Sequence, residues 1–581
     1  MAERIVSPGV FTNEVDQSFL PAGIAAIGAA VIGPTQKGAA GIPTVVTSYS
    51  EYLQTFGGAF TSGSGATEQK YKYLTNYMAQ EYLKYSDTLT VIRILAGGYG
   101  PANADVTCSG VDTNAFTLTT LSDGDENNSV GPEGINNSLA SGSVNNLRWE
   151  VSNVSNTKGT FTLLIRRGDD TSKRKTIVEQ YNNLTLDPNS NNYIARVIGD
   201  QSYTLKDSGT ADPFLQLSGS FVNRSKYVRV AVNRTTYNYL DVNGNIRDNA
   251  LSSSLPAAVS GTFANGSDGA VQHPVQFNEN ISNTNTQGFN LAVAGEGKTS
   301  YQDAILLLGN QDEYDINLLS VPGLMDNYSN HAVVLTTALN MVENRSDAFL
   351  LIDPVEYGAT LSTAAGKADA RDTNYAAEYW PWVKIPDIDL GRNVWVPAST
   401  LIPSVYAFND RVAAPWYAPA GLNRGGIDIA VQTERKLTQS NRDTLYEAAV
   451  NPIATFPNTG VCIWGQKTLQ KKASALDRVN VRRLLIAAKK FVASSTKFLV
   501  FENNTASTRN RFLSIVNPYF ENVQQRQGLY AFKVVMDETN NTPDVVDRNE
   551  MRGAIYLQPA KSAEFIIIDF NILPTGAAFP E

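Results

Sequence analysis

The sequence predicts a multidomain protein of the α/β (α+β) class, in which an α/β body carries an inserted β-rich domain. Its 581 residues correspond to about four domains of roughly 150 residues each. Residues 314 to 354 read as an apolar strand, a helical segment and a second apolar strand, which is the βαβ signature of parallel strands with a right-handed crossover. From about residue 101 to 205 the composition shifts to Asn, Ser, Thr, Gly and Asp with short alternating runs, which is typical of a β-rich surface insertion.

The first hundred residues combine an extended segment with an α/β pattern. Residues 4 to 18 contain a Pro-Gly pair that breaks any helix, and their apolar residues flank polar ones as in a strand. The small-residue run from 25 to 33 predicts a strand, Tyr71 to Tyr85 a helix, and residues 89 to 95 a second strand. The N-terminal segment has no local partner, so it stands as an extended arm.

The last third of the chain alternates strands with two helices. The helices are predicted near residues 477 to 493 and 506 to 525. The predicted strands are GVCIWG, TKFLVFE, YAFKVVMDE and EFIIIDF.

Composition limits the possible classes of function. The net charge is -9, from 47 Lys+Arg and 56 Asp+Glu, so no global charge excess favours nucleic acid or a membrane surface. The two cysteines, Cys108 and Cys462, have neither a disulfide framework nor zinc-site spacing. The N-terminus lacks the pattern of a secretory signal, and the most apolar window, residues 23 to 33, is too short to span a bilayer. We therefore expect a soluble protein of a reducing cytoplasm, without direct membrane insertion.

Positive charge is concentrated between Gln466 and Lys497. This segment holds nine basic residues and one acid, which leaves the rest of the chain at a net charge of -17. On a helix at about 100° per residue, its basic residues fall on two neighbouring stripes, and apolar residues such as Val481 and Leu484 fall on the opposite side. The pattern predicts an exposed surface for an acidic partner; a solvated helix face or ion pairing between subunits is the alternative. The residues of this predicted basic surface are Lys467, Lys471, Lys472, Arg478, Arg482, Arg483, Lys489 and Lys490.

Catalytic chemistry is not indicated. His273 and His331 are the only two histidines, and neither has triad or metal-site spacing. Asp353 ends a predicted strand, where a general base could lie, but a carboxylate that accepts turn hydrogen bonds is the commoner case. Residues 295 to 300 (GEGKTS) resemble the end of a phosphate loop, yet Ala292 stands where that loop needs a glycine. The sequence predicts no catalytic residue, cofactor or metal site, and a hydrolase built on the central α/β region is the enzymatic alternative.

Five motifs in the C-terminal third resemble one known family. In chain order they are IPSVYAFNDRVAAPWYAPAGLNRGGI (402–427), NPIATFPNTGVCIWGQKTL (451–469), ALDRVNVRRLL (475–485), FLVFENN (498–504) and PAKSAEFIIIDF (559–570). Together they resemble the tail sheath proteins of contractile-tailed bacteriophages, most closely those of the T-even type. SPGVFTNEVD (7–16) is similar to the family's N-terminal arm, and LTLDPNSNNYIARVIGD (184–200) to its central stretch.

The resemblance implies a structural subunit without enzymatic activity. Such subunits form hexameric rings stacked helically around a tail tube, and they contract once to drive the tube through the host envelope. The implied partners are the tube, baseplate and tail terminator proteins, with no nucleic acid and no cofactor, in a virion tail assembled in the host cytoplasm. The sheath of a tailocin or other contractile injection system remains an alternative of the same class. A surface adhesin is disfavoured by the missing export signal.

The resemblance also implies a domain plan, in which a mixed-sheet core domain formed by the N-terminal arm and the C-terminal third carries βαβ-containing and β-rich outer domains. The implied segments are an N-terminal linking arm (1–22), a discontinuous middle α/β domain (23–100 with 206–378), an outer β-rich protrusion (101–205) and an inner core domain with a C-terminal linking strand and tail (379–581). The basic surface would face the tube, and both chain ends would add a strand to a neighbour. The residues of these intersubunit strands are Val6, Val10, Phe11, Val15, Phe565, Ile566, Ile567, Ile568 and Phe570.

Overall fold

A strand of small residues lies at the centre of the body. The computed structural model describes residues 28–62, 69–129, 138–139, 142–271, 280–457 and 459–565, and within them β1 (Gly28–Gly33) is buried along its whole length. A Cβ atom on Gly33 would lie 2.4 Å from Thr75 Oγ1, and one on Gly28 would lie 2.2 Å from the Thr88 carbonyl oxygen. Glycine at both ends of β1 therefore allows neighbouring segments to approach closely.

The other elements of the first described stretches lie beside β1. They are β2 (Thr44–Val46), α1 (Tyr49–Phe56), β3 (Phe60–Ser62), β4 (Gln69–Tyr71), α2 (Leu74–Tyr82) and β5 (Leu89–Arg93). The predicted helix and the two predicted strands of this region are confirmed, each with narrower limits.

A β-rich region follows β5. Its elements are β6 (Pro101–Thr107), β7 (Asn114–Asp123), β8 (Leu147–Ser155), β9 (Thr160–Arg167), β10 (Ile177–Thr185), α3 (Ile194–Ile198), β11 (Ser202–Lys206), β12 (Phe214–Ser218), β13 (Val228–Val232), α4 (Asn249–Ser253) and β14 (Ser260–Thr262). Two sheets, ordered β13-β7-β6 and β10-β9-β8-β14, share one core, in which the rings of Phe116 and Phe161 stack 5.8 Å apart. The paired strands continue past the predicted limit at residue 205, because β13 and β14 return to pair with β7 and β8.

The chain then returns to the body. Its elements here are α5 (Lys298–Leu307), β15 (Ile316–Met325), α6 (Ser329–Arg345), β16 (Phe349–Asp353), α7 (Leu361–Ala368), β17 (Ala376–Trp380), β18 (Val383–Asp387), β19 (Arg392–Val396), α8 (Ala398–Val412), β20 (Gln432–Thr433), α9 (Gln439–Glu447), β21 (Val450–Phe456) and β22 (Gly460–Ile463). The predicted βαβ unit is confirmed as β15, α6 and β16, whose strands pair in parallel.

The last described elements form a C-terminal lobe, residues 479 to 559. They are α10 (Val479–Thr496), α11 (Ala506–Gln525), β23 (Leu529–Val535), α12 (Pro543–Asp547) and β24 (Ala554–Pro559). Both predicted helices are confirmed. The strand predicted from TKFLVFE is wrong, because Lys497–Leu499 form a 3-10 turn at the end of α10 and Leu499 alone of that run is buried in the lobe core.

The strands of the body form one eight-stranded sheet. Its order is β2-β5-β1-β15-β16-β17-β21-β22, with parallel pairs from β5 to β21 and an antiparallel strand at each edge. The predicted boundary between residues 378 and 379 falls inside β17. That boundary is wrong because β17 pairs with β16 on one side and β21 on the other, so the C-terminal third completes the sheet that β1 begins.

Helices cover both faces of this sheet. Helices α2 and α8 pack on one face, and α5, α6, α7 and α9 contribute to the core on the other. Parallel sheets are normally buried in this way on both sides. Within the described residues, no helix is long and apolar enough to cross a membrane.

Candidate intersubunit contact sites

Helix α10 lies between two hydrophobic cores. Val479 and Ile486 belong to the core of the body, whereas Leu484 and Ala488 belong to the core of the C-terminal lobe. Because apolar neighbours cover two sides of the helix, less of its surface reaches solvent than a single apolar stripe predicts.

Three residues of the predicted basic surface are buried. Arg482, Arg483 and Lys490 are only 4%, 8% and 8% exposed. Arg483 donates a hydrogen bond to the Asp410 carboxylate on α8, and its guanidinium carbon lies 4.6 Å from the centre of the Tyr406 ring. This residue therefore joins α10 to α8 within one chain.

The other two buried cations also have partners on the body. Lys490 Nζ donates to the Asp315 carboxylate and to the Ile316 carbonyl oxygen at the start of β15. The Arg482 guanidinium carbon lies 4.0 Å from the centre of the Tyr375 ring. The prediction that these three residues are exposed is wrong, because segments distant in sequence supply their partners and cover them.

The remaining basic residues keep some exposure. Lys471, Lys472 and Lys489 are exposed, and Lys467 and Arg478 are partly buried. The predicted basic surface is thus reduced to the three exposed lysines and the edges of two further side chains.

A polar cluster holds the chain just after β24. Arg478 donates two parallel hydrogen bonds to Glu564, from Nε to Oε1 at 2.7 Å and from Nη2 to Oε2 at 2.9 Å. The Tyr446 hydroxyl donates to Oε2 at 2.5 Å, and Gln466 Nε2 donates to Oε1 at 3.0 Å. Gln466 also donates to Ser562 Oγ at 2.6 Å. We call Arg478, Tyr446 and Gln466 the clamp.

The clamp favours the ionised form of its carboxylate. Burial disfavours the charge on Glu564, but the hydrogen bonds from Arg478, Tyr446 and Gln466 outweigh that effect and hold the pKa of Glu564 below its ordinary value. Glu564 therefore stays charged, and paired with Arg478, at neutral pH.

The C-terminal lobe contains a two-stranded sheet with open edges. β23 and β24 pair in antiparallel fashion, with Phe532 opposite Leu557. Both side chains pack on the lobe core, whereas Tyr530 and Tyr556 are exposed. In the described part of the chain, no third strand pairs with either edge. An unpaired edge presents N–H and C=O groups that can accept an added strand. The sequence predicted β23 but not this acceptor geometry.

Most residues of the predicted linking strands lie outside the described ranges. These are Val6, Val10, Phe11, Val15, Ile566, Ile567, Ile568 and Phe570. Phe565 is the one described member; it is exposed and belongs to no strand. The strand predicted from EFIIIDF and the arm predicted for residues 1 to 22 thus remain predictions.

Three acidic residues lie close together on the central strands: Asp353 ends β16, Asp326 follows β15, and Glu378 is in the middle of β17. The Asp353 carboxylate accepts from the Ser399 backbone N–H at 2.9 Å and from the Ser399 hydroxyl. Asp353 therefore accepts hydrogen bonds from the first turn of α8, which is the commoner role that the sequence analysis gives to such a carboxylate. Asp326 is paired with Arg371. Burial, and then the nearby charge of Asp326, raise the pKa of the fully buried Glu378 well above its ordinary value.

His331 is buried beside the end of β15. Its Nδ1 accepts the Met325 backbone N–H at 3.1 Å. Burial lowers the pKa of His331 to about 4, so the ring is neutral at pH 7. These contacts give His331 a packing role in the turn after β15, and His273 lies outside the described residues.

Asp353 should make stability depend on pH. Burial raises its pKa to about 7, against the opposing hydrogen bonds from Ser399. Because the pKa is higher in the folded than in the unfolded state, this contribution to stability is full below about pH 4 and is lost as the pH rises through 7. We expect Asp353→Asn to remove a fall of about 2–4 kcal/mol in the free energy of unfolding between pH 4.5 and 8. Denaturant titrations at both pH values measure it.

The control for this prediction is Asp212→Asn, a change at an exposed carboxylate of the β-rich region. It should leave the pH dependence of the wild type unaltered. Glu378 has a pKa shifted in the same direction and is present in all three proteins; the charge of Asp353 is the smallest of the causes of that shift, so Asp353→Asn removes the contribution of Asp353 together with this coupling. Parallel pH curves for Asp353→Asn and the wild type would contradict the assignment.

Comparison with known families identifies the second half of the chain. Residues 297–469 match the phage tail sheath protein central domain, and residues 471–572 match the phage tail sheath C-terminal domain. These two consecutive segments are similar to the two domains of phage tail sheath proteins. The first of these segments contains Asp326, Asp353, Glu378 and α8, and the second contains α10, β23–β24 and Glu564.

Individual relatives support the same family. The chain is 41% identical over 210 residues to the tail sheath protein of Vibrio phage KVP40, covering 36% of this chain and 30% of the relative. It is 36% identical over 227 residues to the tail sheath protein of Enterobacteria phage T4, covering 38% of this chain and 34% of the relative. The matches thus span about a third of the length of these relatives, and the resemblance to T-even sheath proteins is confirmed.

The fold has a counterpart in a solved structure. The crystal structure of the sheath tail protein from Listeria innocua matches with a TM-score of 0.53 at 12% sequence identity, covering 93% of this chain and 96% of that one. At this identity the similarity concerns the fold alone. It confirms the mixed α/β class with several sheets.

Proposed function

We propose that the protein is a structural, non-enzymatic subunit of a contractile phage tail sheath, which forms stacked hexameric rings around a tail tube and contracts to drive the tube through the host envelope. The observation that carries the proposal is the consecutive match to both sheath domains over residues 297–469 and 471–572. On this proposal the partners are further copies of the chain, the tube protein, and the baseplate and terminator proteins of a virion tail.

Strand addition between copies accounts for a lattice that changes shape. Heterologous contacts that repeat build open helical assemblies, and a sheath must keep them while its subunits rotate. The open edges of β23 and β24 suit an added strand from a neighbour, since main-chain hydrogen bonds there survive rigid-body rotation of the donor. The proposed donors are the N-terminal arm, residues 1–22, and the chain after Glu564.

Weak contacts to the tube would permit release. The three exposed lysines, Lys471, Lys472 and Lys489, could pair with acidic groups of the tube. Exposed ion pairs contribute about 0–1 kcal/mol each and are screened by salt. The energy for contraction would be stored in the extended polymer, which is kinetically trapped until repacking starts.

Deleting residues 1–20 tests the proposal. We expect the truncated protein to remain a folded monomer, because helices between residues 74 and 447 already cover both faces of the eight-stranded sheet, but to form no long tubes. Negative-stain microscopy and sedimentation of the purified protein measure tube formation, and circular dichroism measures folding.

A full-length variant serves as the matched comparison. Replacing the four apolar arm residues by serine keeps the length of the arm but removes the side chains that a neighbour's sheet would bury; these residues are Val6, Val10, Phe11 and Val15. It should fail like the deletion. Long tubes from both proteins would exclude the arm as a link.

A further inference from the structure

The chain after β24 returns to the body and is held there. Pro559 ends β24 in the C-terminal lobe, and five residues later Glu564 lies between side chains of the body. Tyr446 belongs to α9, Gln466 follows β22, and Arg478 precedes α10. Three elements that are separate in sequence thus converge on one carboxylate.

The hydrogen-bond geometry around Glu564 is that of a specific contact. A bidentate arginine–carboxylate pair has fixed geometry as well as charge, and such hydrogen bonds are stronger than neutral ones. Arg478 and Glu564 are about three-quarters or more buried, with side-chain exposures of 25% and 18%. Lys467 Nζ lies 4.3 Å from the centre of the Tyr446 ring and adds positive charge beside the site. The second bond of Gln466, to Ser562, holds the chain two residues earlier.

We propose that the clamp fixes the point at which the C-terminal chain leaves its own subunit, so that residues 566–581 can bind a second copy of this chain without pulling residues 560–565 away from the body. This inference rests on the proposed sheath function, and it adds the residues that position the link. Arg478, Tyr446 and Gln466 act here as positioning residues for the chain that follows Glu564.

The physical reason is the length of chain beyond the last contact that the clamp provides. With the clamp closed, the clamp holds the chain as far as Glu564; with the clamp open, the last held residue of this segment is near Pro559, at the end of β24. Five further residues add up to about 17 Å of reach at roughly 3.4 Å per residue. A longer link transmits the rotation of a neighbouring subunit poorly, because the added chain must first become extended before it pulls on the next subunit.

The rate of trypsin cleavage in the monomer measures how often the clamp opens. Lys561 is exposed and is the last Lys or Arg of the chain, so cleavage there releases residues 562–581 as a single peptide. Ser562, on the other side of that bond, is held by Gln466. Cleavage therefore requires the segment to open first.

The test compares two Glu-to-Gln changes by mass spectrometry of the released peptide. Glu564→Gln removes the charge that Arg478 binds and should speed cleavage about tenfold or more, as expected when opening becomes easier. The matched control is Glu550→Gln in the same lobe, whose carboxylate pairs with Arg548 and Arg552 at exposed positions. The control should be cleaved at the wild-type rate.

A second, milder variant controls for faster cleavage that is caused by unfolding. Tyr446→Phe removes only the hydroxyl that donates to Glu564, and it should speed cleavage by a smaller factor than Glu564→Gln. Circular dichroism of each protein confirms that the body is folded. Equal cleavage rates for the wild type and both folded clamp variants would overturn the clamp.

Tube formation decides the second half of the inference. We expect Glu564→Gln to form shorter or fewer tubes than the wild type and Glu550→Gln to form normal ones. If Glu564→Gln opens the segment to trypsin and yet forms tubes like the wild type, the clamp does not position the link. If the wild type forms no tubes, the proposed sheath function fails, and the cleavage rates still decide whether the clamp exists.

Discussion

Replacing Arg483 by alanine should lower the free energy of unfolding by about 3 kcal/mol. The change removes the ion pair with Asp410 and the contact with the Tyr406 ring. It leaves Asp410 without its cation; burial already raises the pKa of that carboxyl, and Arg483 opposes the shift. It also empties the space of a long side chain between α8 and α10. Urea unfolding followed by tryptophan fluorescence measures the loss.

Lys489 is the matched control for this prediction. It lies on the same helix, six residues further on, and is exposed. Lys489→Ala should change the free energy of unfolding by less than about 0.5 kcal/mol. Similar small effects of both substitutions would mean that Arg483 is exposed in solution, and they would restore the first interpretation of α10 as a helix with one free basic side.

Replacing Arg93 by alanine should have a comparable or larger effect, about 3–5 kcal/mol. Arg93 is 1% exposed and lies on β5 of the body. Its Nη1 donates to the Gly38 carbonyl at 2.6 Å and to the Asp123 carbonyl at 2.7 Å, and its Nε donates to the Thr35 carbonyl at 3.2 Å. Asp123 ends β7, so the side chain joins the body to the β-rich region.

The loss should be concentrated at this junction. Without Arg93, three carbonyl groups lose the hydrogen bonds that it donates. The end of β7 then keeps backbone and hydroxyl contacts to the body, among them the Ala40 N–H bond to the Asp123 carboxylate at 2.8 Å and the Asp123 N–H bond to the Gly38 carbonyl at 3.1 Å. Hydrogen–deuterium exchange should rise in β6 and β7 before it rises in the eight-stranded sheet. Arg234→Ala, at an exposed arginine of the same region, should leave exchange unchanged. Uniform exchange in Arg93→Ala would contradict a role at the junction.

Local patterns were sufficient for the regular elements. The period of apolar residues predicts α10 and α11, and the run from 314 to 354 predicts β15, α6 and β16, because each signal lies within one stretch of chain. The small residues of β1 were also visible, although the reason for them, close contact with Thr75 and Thr88, was not.

Two predicted domain boundaries, at residues 205 and 378, could be corrected only from strand pairing in the tertiary structure. β13 and β14 pair with strands more than a hundred residues earlier, and β17 pairs on both sides across a predicted limit. A fully buried parallel strand reads as an apolar run whichever segment its neighbours come from. The sequence patterns predicted none of these three strands, and a local pattern could not have assigned them to a sheet.

The residues of the candidate contact sites were also predicted only in part. Arg478 was among the predicted basic residues, but its partner Glu564 was noticed only as the start of an apolar motif, and Tyr446 and Gln466 carried no signal. No periodicity connects four residues on separate elements. The open edges of β23–β24 were also invisible, since an edge is defined by the strand that does not pair with it.

By itself, the sequence determined the α/β class, several elements such as α6, α10 and β15, and the resemblance to tail sheath proteins, because these depend on local periodicity and on short motifs. Only the tertiary structure decided which charges face solvent. A helical projection states the direction of a side chain but not what packs over it, so Arg482, Arg483 and Lys490 were assigned to a surface that neighbouring segments in fact cover. Burial depends on contacts between distant parts of the chain, and those contacts exist only after folding.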